Sequence, residues 1–129
     1  TARREVPASE LARFSQIDYD REMTFIALAE GPQGGRMVAE VRAVCDPDNR
    51  QAEFAIQVAG DWQGRGLGRA LLARMVDYLR ARGTGELVGQ CQGDNARMAR
   101  LAMALGFEVG NGPADGLTDQ RLDLRAVRG

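Results

Sequence analysis

The chain has 129 residues, a formal net charge of −1, 44% hydrophobic and 27% charged residues. One compact domain with a modest core is expected, since the apolar content is too high for disorder and the near-neutral charge argues against a nucleic-acid partner. No apolar run approaches the roughly 20 residues that cross a bilayer, so no membrane partner is expected, and no charged-then-apolar signal pattern opens the given sequence.

Residue types narrow the chemistry further. Histidine is absent, so Ser-His and Cys-His nucleophile pairs are excluded and zinc would lack its commonest nitrogen ligand; no metal is expected. All 17 basic residues are arginine, so no side chain of this chain offers an amine to an acyl group. Cys45 and Cys91 lie far apart without CxxC spacing, which fits free thiols in a cytoplasmic protein better than a disulfide framework.

In chain order, Val6–Gln16 reads as a short helix with Ser9 as N-cap and an apolar stripe from Leu11 and Phe14. Ile17–Met23 is polar, acidic and irregular. Strands follow at Thr24–Glu30, Arg36–Cys45 and Ala52–Gly60, separated by the turn clusters Gly31–Gly35 and Asp46–Gln51. Links this short favour antiparallel hairpins. From Gly66 to Arg82 the apolar positions Leu67, Leu71, Leu72, Met75, Val76 and Leu79 recur at helical spacing. Then come a strand at Glu86–Gln92, a helix at Asp94–Leu105 closed by Gly106, a short strand at Phe107–Gly110 and a last strand at Leu117–Val127. The order predicts an α+β domain: a mixed, mostly antiparallel sheet flanked by helices.

The stretch DWQGRGLGRALL, residues 61–72, sets glycines 64, 66 and 68 between a strand and a helix. Glycine permits positive φ and close backbone approach, and a helix N-terminus offers unpaired N–H groups to an anion. A tight turn alone needs fewer glycines, so a phosphate ligand is favoured. The Walker pattern is missing, and GxGxG is not the dinucleotide fingerprint. What fits is Q-x-x-G-x-G, with Gln63, Gly66 and Gly68. This resembles the acyl-CoA loop of the GNAT superfamily of N-acetyltransferases. An antiparallel meander precedes the loop, and Asn95 leads to Gly106-Phe107, as in that family; the resemblance covers about residues 10–125. SQIDYDREM, DPDN, AEFAI and GRGLGRALL are similar to the acetyltransferase domains of bacterial Pat-type protein lysine acetyltransferases, which end much longer chains. The resemblance implies a single GNAT domain over residues 1–129, excised from a longer protein, with the N-terminal strand and first helix of the fold missing.

It also implies acetyl-CoA as cosubstrate, an amine acceptor, and a protein lysine on an acyl-CoA synthetase as target. A small-molecule amine acceptor and a non-catalytic acyl-CoA-sensing module are the alternatives. A lysine of pKa about 10.4 is roughly 0.04% neutral at pH 7, a deficit of about 4.6 kcal/mol, so a general base helps. Without histidine it must be acidic. Glu53 shares a strand face with Ala55 and Gln57, opposite Phe54, Ile56 and Val58. It is either a solvated glutamate paired with Arg42 or the base that the Pat resemblance places in this AEFA-like stretch. The resemblance further implies pantetheine contacts from main-chain groups of Ile56 and Val58, and pyrophosphate contacts from amides of Gln63, Gly64, Arg65, Gly66, Leu67, Gly68 and Arg69. The Arg65 and Arg69 side chains add charge to phosphate or are simply solvated. Asn95 either caps its helix alone or caps it and approaches the pantetheine as well. Asp18, Asp20 and Glu22 form an acidic rim at the acceptor entrance or a solvated loop. Seven residues after Asn95, where many GNAT enzymes carry a tyrosine acid, stands Ala102. Neither Tyr19 nor Tyr78 is an evident substitute.

Overall fold

The computed structural model describes residues 12–18, 21–32, 35–92, 96–111 and 117–125. Its strands are β1 (Ala12–Asp18), β2 (Glu22–Ala29), β3 (Arg36–Cys45), β4 (Gln51–Val58), β5 (Glu86–Gln92), β6 (Glu108–Asn111) and β7 (Leu117–Asp123), with helices α1 (Leu67–Arg82) and α2 (Ala96–Ala104). The sheet order is β1-β2-β3-β4-β5-β7-β6. Every neighbouring pair is antiparallel except β4 with β5. The expected α+β class and antiparallel meander are both present.

The N-terminal expectation is corrected. Residues 12–16 lie in a strand, not a helix, and β1 runs in register with β2 from Ala12↔Ala29 to Asp18↔Met23. Pairing to an open sheet edge satisfies more backbone groups than a short isolated helix can hold. The strand is held from the other side as well: Arg74 of α1 lies over the Phe14 ring at 4.5 Å. Of the segment expected to be irregular, Ile17 and Asp18 end β1 and Glu22 and Met23 open β2.

Helix α1 buries Leu67, Leu71, Leu72, Met75, Val76 and Leu79, the stripe predicted from spacing. It packs on β2, β3 and β4, against Phe25, Val41 and Ala43 of the core. The crossover β4–α1–β5 makes the parallel pair possible. At the turn between β3 and β4, Asp46 Oδ1 accepts the Arg50 N–H at 2.8 Å. Asn49 ties this turn to the end of α1, donating to the Arg82 carbonyl at 3.1 Å and accepting from the Thr84 hydroxyl at 2.7 Å. The parallel contact therefore starts from a fixed corner.

That contact is short. Registered pairs run only from Gln51↔Glu86 to Glu53↔Val88, while β5 continues to Gln92 paired with β7. Beyond Glu53 the two strands part. Ala59 donates its N–H to the Val38 carbonyl at 2.8 Å, so residues 38 and 59 are a hydrogen-bonded pair. Alternation along the antiparallel ladder then aims the main-chain groups of Gln57, Ala55 and Glu53 at β3. Those of Ile56 and Val58 are aimed into the split. The Glu86 N–H, bonded to the Arg50 carbonyl at 2.9 Å, shows the same phase where the strands still pair.

Candidate acyl-carrier and acceptor site

Two cavities open on the split. The larger, about 1010 Å³, lies on the helix side, lined by Ile56, Val58, Gln63, Gly64, Gly66, Leu67, Gly68 and Arg69, together with Arg97, Met98, Arg100, Leu101 and Ala104 of α2. Eight of the residues proposed from sequence for the carrier thus share one wall.

The loop conformation explains its glycines. Gly64 has φ +80° and Gly66 φ +86°, a left-handed backbone that a side chain would strain. Gly66 is the N-cap of α1, and the Ala70 N–H to the Gly66 carbonyl, at 3.0 Å, is the first bond of the helix. The N–H groups of Leu67, Gly68 and Arg69 therefore have no intrahelical acceptor and, with the positive end of the helix dipole behind them, are suited to an anion. Gly68 answers a different need. A Cβ there would lie 2.9 Å from Leu101 Cδ1 and 3.5 Å from both Ile56 Cδ1 and Val58 Cγ2, so its absence lets α1, α2 and β4 meet at the cavity floor.

Two of these residues are placed differently from the sequence expectation. The Gln63 N–H is taken up by the Gly60 carbonyl at 3.4 Å in a short 3-10 turn, Gly60–Trp62, so the free amides begin after it. The Gln63 side chain does more: Nε2 donates to the Val58 carbonyl at 3.2 Å and Oε1 accepts from Arg97 Nη1 at 2.7 Å, a bridge from β4 to α2. Arg65 does not line the cavity; its guanidinium lies 4.4 Å over the ring of buried Trp62, which stiffens the loop from behind. Asn95 lies outside the described residues. Arg97 and Arg100 were missed. Their spacing of three, continued by Leu101 and Ala104, marks one helix face, but the sequence does not say which face meets α1.

The smaller cavity, about 380 Å³, is lined by Gln51, Glu53, Phe54, Val88, Gly89, Gln90, Asp119, Gln120 and Arg121. Register places Glu53, Val88 and Arg121 in one row and Gln90 with Asp119 in the next, all on the sheet face away from the helices. Between the cavities stands Phe54, edge-on to Phe107 at 5.6 Å and lying against Gly89. Glu53 is at the last paired position before the split, exposed, with no ion pair among the described residues. It opposes Val44, whereas Arg42 opposes Ala55, so the Arg42 pairing is not formed. Glu22 stands in the same row through Val44 but does not line the cavity. Asp18 is a strand residue rather than part of a loop, and Asp20 and Tyr19 fall outside the described residues. Tyr78 packs edge-on to Phe25 at 6.0 Å on the helix side, away from Glu53. Ala102 is fully buried. Among the described residues no group of acidic or sulfur side chains is placed to hold a metal, and no helix is long and apolar enough to cross a membrane.

An acyl-CoA fits this architecture on four observations: a helix N-terminus with free amides, a wall that a Cβ would fill, three cavity arginines, and the Ile56 main chain and Val58 N–H directed at an amide-bearing arm. The comparisons agree. The model of the acetyltransferase (GNAT) family matches residues 2–107. An acetyltransferase of Pseudomonas aeruginosa is 30% identical over 112 residues, 87% of this chain, and the match spans 60% of that relative's length. The solved GNAT domain of S. lividans PAT superposes with a TM-score of 0.70 at 25% identity, covering 82% of this chain and 64% of that one. A putative acetyltransferase from Salmonella typhimurium, solved with acetyl-CoA, gives 0.66 at 26% identity over 84% and 68%. The chain belongs to the GNAT family of acetyltransferases.

Proposed function

We propose that the protein transfers the acetyl group of acetyl-CoA to a primary amine, the ε-amine of a lysine on a protein partner, with Glu53 as general base. The observation that carries this reading is the β4/β5 split. It offers the Ile56 and Val58 main chain and the α1 amides on one side, and a carboxylate at its apex on the other. Acetyl-CoA would supply the activated acyl group. Leu67, Gly68 and Arg69 amides would hold its diphosphate, with Gly64 and Gly66 setting the loop path, and Ile56 and Val58 would bind its pantetheine arm. Glu53 takes the proton that the incoming amine must shed. The exposed face around Glu53 admits a side chain projecting from a protein surface, and Glu22 in the same row adds negative potential for a lysine. The resemblance of SQIDYDREM, AEFAI and GRGLGRALL to Pat-type domains, with the fold likeness to the S. lividans PAT domain, is what motivates a protein acceptor, here proposed to be an acyl-CoA synthetase of the cytoplasm.

A direct comparison of acceptors tests the reading. A peptide with a single lysine is expected to be acetylated with at least tenfold higher kcat/KM than free lysine. An acyl-CoA synthetase incubated with the chain and acetyl-CoA is expected to gain the acetyl mass on a lysine. Equal or better turnover of the free amine would instead assign a small-molecule acceptor.

The arginines give a second expectation. Arg97→Ala removes a cavity cation and frees the Gln63 side chain. Because the group is exposed and screened, the acetyl-CoA Kd read by calorimetry is expected to rise only about three- to tenfold, roughly 0.7–1.4 kcal/mol. An unchanged Kd would remove Arg97 from the carrier site.

A further inference from the structure

The acceptor cavity contains a carboxylate that the proposed reaction does not use. Asp119 lines it on β7, two residues along from Arg121 and directly opposite Gln90 and Gly110. Its Oδ1 is buried and has no hydrogen-bond partner among the described residues. A carboxylate oxygen withdrawn from water and left unmatched is costly. Gly110 offers no side chain to meet it.

The charges around it are unequal. Arg121 also lines the cavity, but its Nη1 is 3.7 Å from Glu86 Oε2, and Glu86 is held in turn by Gln51 Nε2 at 2.6 Å. That pair is internally balanced. Glu53 and Asp119 remain as two carboxylates on one cavity wall without a cation of their own. Ideal strand spacings put their Cα atoms about 12 Å apart, a separation that accommodates a short aliphatic chain with a nitrogen at each end. Asp119 lies toward the open end of the split, since β7 runs antiparallel to β5.

We infer that Asp119 is a specificity residue that binds a second cationic N–H group of the acceptor, distinct from the amine that is acetylated. Glu53 already meets the reacting nitrogen as its base, and a second carboxylate there would only strengthen its hold on the proton; one placed away from the reacting centre anchors the other end and presents the first. The acceptor is thus a dication, either a diamine or a basic protein segment with a second cationic side chain beside the target lysine. This rests on the reading of the Glu53 face as the acceptor side.

Calorimetry on the CoA-saturated chain tests it without turnover, so it stands apart from the role of Glu53 as base. 1,4-Diaminobutane is expected to bind at least tenfold tighter than butylamine. Asp119→Asn is expected to reduce that preference to within twofold, with the CoA affinity unmoved and the Tm equal or higher. Asp119→Glu, which keeps the charge, is expected to retain most of the preference. A lysine peptide with a neighbouring arginine, compared with its alanine counterpart, identifies the source: a preference there, lost in Asp119→Asn, assigns a protein acceptor, and one confined to the diamine assigns a small one. Equal affinity for the mono- and diamine, no binding of either, or a preference that survives Asp119→Asn would each overturn the inference.

Discussion

Replacing Glu53 by glutamine is expected to lower kcat at least tenfold while the acetyl-CoA Kd stays within twofold. The substitution keeps the shape of the side chain and removes its capacity to take a proton. A positioned general base contributes about 10² to 10⁴ in rate, and solvent reaching an exposed position recovers part of this, which sets the tenfold floor. Binding is spared because Glu53 is not among the residues that line the carrier cavity. Steady-state kinetics beside calorimetry separates the two quantities. Unchanged turnover would remove Glu53 as base, and a chain that binds acetyl-CoA but turns over no amine in either form would favour a sensing module.

The second large effect concerns the cavity floor. Gly68→Val is expected to raise the acetyl-CoA Kd at least tenfold, about 1.4 kcal/mol. The new Cβ can be admitted if Leu101 Cδ1, 2.9 Å away, swings aside. The two methyl groups beyond it meet Ile56 and Val58 or project into the cavity. Overpacking of this kind costs about 1–3 kcal/mol, and replacing a helical glycine returns part of that. Melting temperature is therefore expected to move by only a few degrees while affinity collapses. A Kd that does not change would show that the carrier does not rest on this floor.

The legibility of this chain follows the range of the forces involved. Strands β2 to β5 and both helices follow from local alternation and spacing, and the loop from 61 to 72 is legible because positive φ and close approach both demand glycine. The β1 segment carries a helical signature because Leu11 and Phe14 share a helical stripe, and only the open edge of β2 decides against it. The loop and β4 residues that line the larger cavity are visible in the sequence because they form one continuous segment whose proposed roles fall to its backbone. Arg97 and Arg100 were not, because the facing of α2 is a tertiary matter. Asp119 was least visible of all. The insertion of β7 between β5 and β6 puts it beside Gln90, and nothing in the alternation of LTDQRLD distinguishes it from a solvated surface aspartate.

The split of the sheet has one consequence for how such a protein diversifies. Into the split β4 presents peptide groups, which any residue supplies, whereas on the sheet face away from the helices β4, β5 and β7 present side chains at 53, 88, 90, 119 and 121. On the function proposed above, substitutions on that face would retarget the molecule to new nucleophiles while the donor half stays intact, so the two halves of the reaction could drift apart in sequence at different speeds.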